Sequence, residues 1–369
     1  MILRINDRFR NREVRYFESL TVEMKYDAVA STFQLDYYFD PDNIEHKEFS
    51  CIGHYHEVRL YENFGNKERL ILSGYSVNNQ FNDSPKKELT HIGGYSFPGI
   101  LEDCQIPPKD KNGSGVPGFL QSDGLILREI IDKNMKLFGL NYIIDSSVAQ
   151  IMESQYEQSD ANEKQTVKSY FAKLLNQKNV VMTHDVQGRL VFTKPIKKKP
   201  LFYYDIDTNP IVSGMSMGLS FNGAGFHSNI FVFGQQEFDE EAQSSEGEVD
   251  NAIVPILFRP RVESLSSKSD DELDAQTYAD NLRASELKNL ALTITLDRTV
   301  FNEMVFVPGE IISVRNKKVY LYNKTDWFIE SVSIKEDSKE KTTTLHCVLP
   351  ECYTGGTPVS PFRGINLHA

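Results

Sequence analysis

Ser269-Asp270-Asp271-Glu272-Leu273-Asp274-Ala275-Gln276-Thr277-Tyr278-Ala279 opens a passage, running to Pro350, whose reading decides the fold class. Ser269 to Glu272 has the form of a capping box, a side-chain acceptor followed three residues later by a carboxylate. Ala275, Tyr278, Ala279 and Leu282 then recur at helical spacing, and Arg283 and Lys288 sit late, where cations suit the helix dipole. The period then changes. Leu292, Ile294 and Leu296 alternate with Thr293, Thr295 and Asp297, the spacing of a strand with one buried face. A turn at Pro308-Gly309 precedes strand-like runs at Ile311 to Val314, Val319 to Tyr322, Trp327 to Ile334 and, past a polar turn at Asp337 to Lys341, Thr344 to Leu349. A helix feeding an antiparallel meander is a packing unit, and nothing in it has the pattern of a catalytic loop.

Working outward, residues 1–105 read as strands. Met1 to Arg8, Val14 to Phe17, Leu20 to Tyr26, Ser31 to Phe39, Phe49 to Tyr55, Glu57 to Tyr61, Arg69 to Val77 and Glu88 to Gly94 alternate or run apolar between turns such as Asn63-Phe64-Gly65-Asn66. Short, regularly spaced strands predict a small barrel or sandwich. Residues 106–119, rich in Pro, Gly and Lys, read as a linker. Residues 120–197 read as an inserted α+β module. Its first helix, capped by Ser122 or Asp123, carries Leu127, Ile130, Ile131, Met135 and Phe138 on one face and ends at Gly139. Leu140 to Ile144 is a strand, Val167 to Leu175 a second amphipathic helix, and Val180 to His184 pairs with Arg189 to Thr193. Residues 198–354 resume the β pattern at Ile211 to Phe221, Ser228 to Phe233 and Ile253 to Phe258, with the helix near 270–290, a mobile acidic loop at 235–251 and a tail at 355–369. The fold class is thus mainly β with an α+β insert.

The 369 residues suffice for two or three cores, and 23 Phe with 17 Tyr suit β structure. A net charge of −12 argues against a dedicated nucleic-acid binder, which presents a basic stripe. Cys51, Cys104, Cys347 and Cys352 form no CxxC pair and are expected as reduced thiols. No apolar run approaches the roughly 20 residues of a membrane span, so a soluble product made inside the cell is expected.

Each residue cluster with chemical potential has a plainer reading. Cys51, His54 and His56 lack a fourth ligand and match no zinc spacing. His46 and His91 have no Ser or Cys nucleophile motif to serve. Asp205 and Asp207 flank Ile206 without a hydrolase motif around them, so a solvated turn is the better assignment. Asn222-Gly223-Ala224-Gly225 is a glycine turn with no P-loop lysine. The lysines of Lys194 to Lys199 read as a solvated connector, and Trp327, the sole tryptophan, as a core or inter-subunit packing residue. No catalytic, metal or cofactor-binding residue is assigned.

Several passages carry a resemblance. Ser73-Gly74-Tyr75-Ser76-Val77, Ile92-Gly93-Gly94-Tyr95-Ser96 and Leu101-Glu102-Asp103 follow one another near the end of the first β region. Tyr170 to Leu175, Thr183-His184-Asp185 and Gly188 to Thr193 mark the insert, and Arg259-Pro260-Arg261, the charged helix and Pro308-Gly309 follow. In these the chain resembles a baseplate hub protein of a contractile phage tail, of the Mu-type hub family related to the hub domains of type VI secretion spikes. It departs from that pattern in the acidic loop at 235–251 and in the tail after Cys352. The resemblance implies a non-enzymatic virion protein. It implies a homotrimer in which each chain gives two small barrel-like domains to a ring, joining a six-fold tail tube to a three-fold central spike, with the tape measure protein a further neighbour. It implies no cofactor, no membrane contact and no tight binding of DNA. The alternatives are a hub in a contractile injection or type VI-like machine, a tail-associated cell-wall hydrolase and a carbohydrate-binding receptor protein.

Overall fold

The computed structural model describes residues 1–7, 10–64, 67–83, 89–156, 159–176, 178, 180–208, 215–233, 246–254, 257–264, 275–297, 300–301 and 304–363. The capping box at 269–272, the turn residues Gly65 and Asn66, and acidic-loop residues 235–245 lie outside this set.

One unit comprises Met1–Lys194, Asp297–Val307 and Ser331–Thr343. Its strands are β1 (Ile2–Asp7), β2 (Arg10–Val14), β3 (Ser19–Lys25), β4 (Thr32–Tyr38), β5 (Glu57–Phe64), β6 (Lys67–Gln80) and β7 (Leu89–Ser96). Residues 331–337 pair with β3, and the order continues β4-β7-β6-β5-β1-β2, antiparallel throughout. The alternation in the sequence becomes a two-faced sheet. Leu20, Val22, Met24, Phe33, Leu35 and Tyr37 are buried, while Glu23, Gln34 and Tyr38 point outward.

Two assignments change here. Residues 49–55, expected as a strand, are the end of helix α1 (Ile44–Phe49) and a loop. The Asn43 side chain accepts hydrogen bonds from the backbone N–H groups of Glu45 (2.8 Å) and His46 (3.4 Å), so the polar break at Asp40 to Asn43, which follows the end of β4 as expected, also starts a helix. Tyr16, expected within a strand at Val14 to Phe17, lies beyond the end of β2 and is 91% exposed.

The same unit holds α2 (Ile100–Asp103), α3 (Leu127–Phe138), β8 (Tyr142–Ile144), α4 (Val167–Asn176), β9 (Val181–His184) and β10 (Leu190–Thr193). β10 lies between β8, parallel, and β9, antiparallel. Ile130, Ile131, Tyr170, Phe171 and Phe192 fill the core against which both helices lie, each such burial contributing roughly 1.5–3 kcal/mol. Val29 and Leu101 join the same cluster. Neither Ser122 nor Asp123 caps α3. The cap is Ile126, whose N–H donates to the Glu129 carboxylate at 3.2 Å. Asp123 is occupied elsewhere, accepting from the N–H groups of Ser159 (2.5 Å) and Asp160 (3.2 Å), while Asp160 accepts from Ser122 and Asp123 in return. Gly139 ends α3 in the left-handed region, φ 66°. The linker at 106–119 includes a tight loop in which Asp110 Oδ1 accepts from the N–H groups of Asn112 and Ser114, both at 2.9 Å.

The second unit comprises Pro195–Leu296, Pro308–Glu330 and Thr344–Ala369. In chain order its elements are β11 (Tyr203–Asp205), β12 (Ser216–Phe221), β13 (Asn229–Phe233), β14 (Glu246–Asp250), β15 (Pro260–Ser264), α5 (Ala275–Glu286) and β16 (Leu290–Leu296). The two-residue strands β17 (Val300–Phe301) and β18 (Met304–Val305) belong to the first unit. Then come β19 (Ile311–Asn316), β20 (Leu321–Asp337) and β21 (Lys341–Val348). The main sheet runs β12-β16-β21-β20-β19-β11, with β11 parallel to β19. Among the described residues no pairing closes either unit's sheet on itself.

Three further corrections follow. Val319 to Tyr322 and Trp327 to Ile334, read as two strands, are the left-handed Tyr320 (φ 64°) with the residue before it and then one continuous 17-residue strand, β20 (Leu321–Asp337). Residues 246–250, read as part of the acidic loop, form β14, because Gly247 and Val249 alternate inward against Ala275 and Ala279 of α5. Residues 253–258 are not a strand as far as they are described. Asn251 Oδ1 and the Asn251 carbonyl accept from the N–H groups of Ile253 and Val254, both at 3.1 Å, and the chain extends only at β15.

Candidate functional site

The residues with chemical potential do not converge. His54 is exposed, His56 is buried and their ring centroids lie 5.5 Å apart. Among the described residues no group of three or more His, Cys, Asp and Glu is arranged to hold a metal. His46 Nδ1 accepts from the Asp40 N–H at 3.0 Å, which makes it a second brace for α1. His91 Nδ1 meets Asp36 Oδ1 at 2.5 Å. Burial works to raise the pKa of Asp36, but hydrogen bonds from Ser19, His91 and Gln34 outweigh it and hold the carboxyl below the usual range.

Asp205 and Asp207 do not form an acid pair. Asp205 is held far below the ordinary carboxylate range, first by the Tyr203 hydroxyl (2.7 Å), then by the Asp207 N–H (2.9 Å) and Arg315 (3.0 Å). Asp207 pairs with Lys317 at 2.9 Å. This cluster fastens β11 to β19. The turn at Asn222 to Gly225 is held by Arg259, which donates to the carbonyls of Gly223 and Ala224. Of the lysines at 194–199, Lys198 pairs with Glu310 at 2.8 Å and Lys197 with Glu351 at 3.8 Å. Trp327 is fully buried in the core of the second unit.

What the first unit does present is a groove of about 1520 Å³ on the outward face of β3, β4, β7 and β6. Thr21, Glu23, Gln34, His91 and Asn78 come from the outward positions of those strands. Ile52 and Tyr55 overhang from the loop after α1, and Ile100 and Asp103 from α2. Gly93 lies in the floor. A Cβ there would stand 3.6 Å from the Phe33 carbonyl oxygen and 3.7 Å from Asn78 Cβ, an ordinary fit. Neither strain nor packing demands that glycine, and a side chain at Gly93 would fill the groove. Gly94 differs: its Cβ would lie 1.9 Å from the Tyr75 carbonyl oxygen. The Tyr95 hydroxyl donates to Asp103 Oδ2 at 2.8 Å, and burial followed by that carboxylate pushes the phenol pKa well up.

Exposed apolar side chains gather on the second unit as well. Phe221, Tyr320 and Tyr322 are each 45–49% exposed. Phe362 packs against Phe221 (6.4 Å between centroids) and Tyr320 (5.9 Å). The sequence leads one to expect Tyr37, Tyr38, Phe39, Tyr320 and Tyr322 as exposed aromatics of the kind interfaces use; Tyr320, Tyr322 and Tyr38 (55%) are exposed. Tyr37 is not. It is 3% exposed, its hydroxyl bonded to Ser50, because the period-two alternation of β4 turns it inward. The groove had no catalytic or ligand-binding motif to announce it, although Tyr75, Gly93, Tyr95 and Asp103 fall in the passages that carry the hub resemblance. Its trace in the sequence is the outward register His91, Gly93, Tyr95, where one small residue interrupts two large ones.

No family model matches the chain and no curated protein matches it. Solved structures do. The 43 kDa tail protein of prophage MuSo2 from Shewanella oneidensis superposes at a TM-score of 0.70 and 15% identity, covering 96% of this chain and 100% of that one. A tail protein from Neisseria meningitidis MC58 superposes at 0.69 and 14%, covering 96% and 98%. An E. coli component of the type VI secretion system, described as structurally similar to T4 bacteriophage tail proteins, reaches 0.53 and 9%, covering 97% and 79%. By fold, therefore, the chain stands with Mu-like prophage tail proteins and hub-related proteins of type VI secretion, in line with the Mu-type hub resemblance of its sequence.

Proposed function

We propose that the chain is a structural baseplate hub of a contractile phage tail. In this reading it acts as a homotrimeric ring that joins a six-fold tail tube to a three-fold central spike, with the tape measure protein a further neighbour. The observation that carries the reading is a fold match over 96% of this chain and 100% of the solved chain of a prophage tail protein. Residues 1–105 and 198–354 would be the two barrel-like hub domains, with 120–197 inserted between them. Exposed Tyr38, Tyr320 and Tyr322 supply apolar surface of the kind interfaces use. The protein would reside in the virion baseplate and let DNA pass without tight binding, as its net charge of −12 favours.

Likeness to a type VI component favours a second setting, a hub of a cellular injection machine with the same ring and a different spike. Light scattering coupled to size exclusion, followed by two-dimensional class averages, tests the ring. The expected species has three times the 42.2 kDa chain mass and three-fold classes. Rings of a symmetry incompatible with three-fold would overturn the proposal.

A further inference from the structure

We propose that the groove on the outward face of β3, β4, β7 and β6 binds a basic, extended segment of a partner protein, seating a lysine or arginine among Tyr55, Tyr75 and Tyr95 beside Asp103. Charge is the first argument. The lining contributes the exposed carboxylates of Glu23 and Asp103 and, among the described residues, no lysine or arginine. Such a wall repels phosphates, nucleic acid and acidic peptides and attracts cations. The second argument is aromatic. Three tyrosines line the same groove, and the face of a tyrosine ring attracts an ammonium or guanidinium group. Arg4 over Tyr61 (4.6 Å) and Lys324 over Tyr203 (4.5 Å) show the chain using that contact internally.

Size and topology narrow the ligand further. At about 1520 Å³ the groove exceeds the roughly 300–1,000 Å³ of a small-molecule cleft, so it suits a run of several residues. β4 and β7, the middle of the floor, are paired on both sides, which prevents the segment from adding a strand. Recognition therefore falls to side chains and to the clearance that Gly93 leaves. Tyr55 holds the rim with a left-handed backbone, φ 47°, unusual for an aromatic residue, and stays 63% exposed. Thr21 and Gln34, also in the lining, offer polar partners to a bound backbone.

The inference concerns a single chain and does not depend on the ring. It is tested on the full-length protein by fluorescence anisotropy with a labelled peptide of alternating Arg and Ser at about 0.15 M ionic strength. Its Glu/Ser counterpart and a neutral oligosaccharide serve as competitors. The Arg/Ser peptide should bind and neither competitor should displace it. Gly93→Leu, which fills the groove from a position with room for a side chain, should weaken binding about tenfold or more, with far-UV circular dichroism unchanged. Asp103→Asn should weaken it several-fold, and Glu163→Gln, an exposed carboxylate outside the groove, should leave it alone. Equal binding by folded Gly93→Leu would show mere attraction to an acidic surface and overturn the proposal. So would displacement by the oligosaccharide, or no binding at all.

Discussion

Adjacent glycines on β7 should respond oppositely to the same substitution. In Gly94→Ala the new Cβ would meet the Tyr75 carbonyl oxygen at 1.9 Å, Phe33 Cε1 at 2.7 Å and the Tyr75 carbonyl carbon at 2.9 Å. Two of these three atoms are backbone in the neighbouring strand and cannot rotate away, so β6 and β7 must separate locally by roughly 1 Å or more. That stretches two or three ladder hydrogen bonds, each contributing about 0.5–1.5 kcal/mol. The reduced freedom of the unfolded chain returns about 0.4–1 kcal/mol, leaving a net loss of about 2 kcal/mol at the middle of these ranges. Gly93→Ala meets nothing closer than 3.6 Å and retains only the favourable part. At about 2–4 °C per kcal/mol, differential scanning calorimetry should show Gly94→Ala melting roughly 4–8 °C lower, with Gly93→Ala unchanged or slightly higher. Equal shifts for the two variants would refute the close-approach account of this strand pair.

Trp327→Ala should lose about 3–5 kcal/mol, since it empties a fully buried site; chemical denaturation followed by circular dichroism measures it, and a loss below about 1 kcal/mol would place Trp327 outside the core. His184 should make stability fall in mild acid. Burial lowers its folded-state pKa against the opposing pull of the Ala28 carbonyl, Asp185 and Glu102, so the fold favours the neutral ring. The stability this contributes is present above the unfolded value of about 6.5 and is lost as pH falls from there towards the folded pKa. Urea midpoints between about pH 7.5 and 5.5 should drop more steeply for the native chain than for His184→Gln, and parallel slopes would contradict the argument. With Ellman's reagent, Cys347 should stay unreactive in the folded protein, since burial both shields it and pushes its thiol pKa up, while the partly exposed Cys51 and Cys352 react before denaturation and Cys104, raised by burial and Asp103, reacts more slowly than they do.

Local periodicity was enough for much of the chain, because a strand or helix that buries one face must repeat its apolar residues at a fixed interval. β4 declares itself in Phe33, Leu35 and Tyr37, and α4 in Val167, Tyr170, Phe171 and Leu174, all buried. The same alternation on β14 was hidden by its acidic composition, and the run at 253–258 lacked the turn chemistry that Asn251 imposes through its own side chain. The cap of α3 was misread for a related reason. Ser122 and Asp123 have the right chemistry, yet Ser159 and Asp160 hold Asp123 from a loop 36 and 37 residues away.

Only the tertiary structure decided which strands meet. The far end of β20 pairs with β3, and Ser333 donates to Glu23 across 310 residues of sequence. Residues 203–205 run parallel to 313–315, which no adjacent turn dictates. The groove is a product of those pairings. Glu23, Gln34, Tyr55, Tyr75, Tyr95 and Asp103 sit on separate elements; Tyr75, Tyr95 and Asp103 fall in passages that carry the hub resemblance, but no pattern of letters brings the six together. Side-chain period is a property of one segment and is written in its letters. A site assembled from the outward positions of four strands depends on register between segments, and register is chosen by the burial of the opposite face.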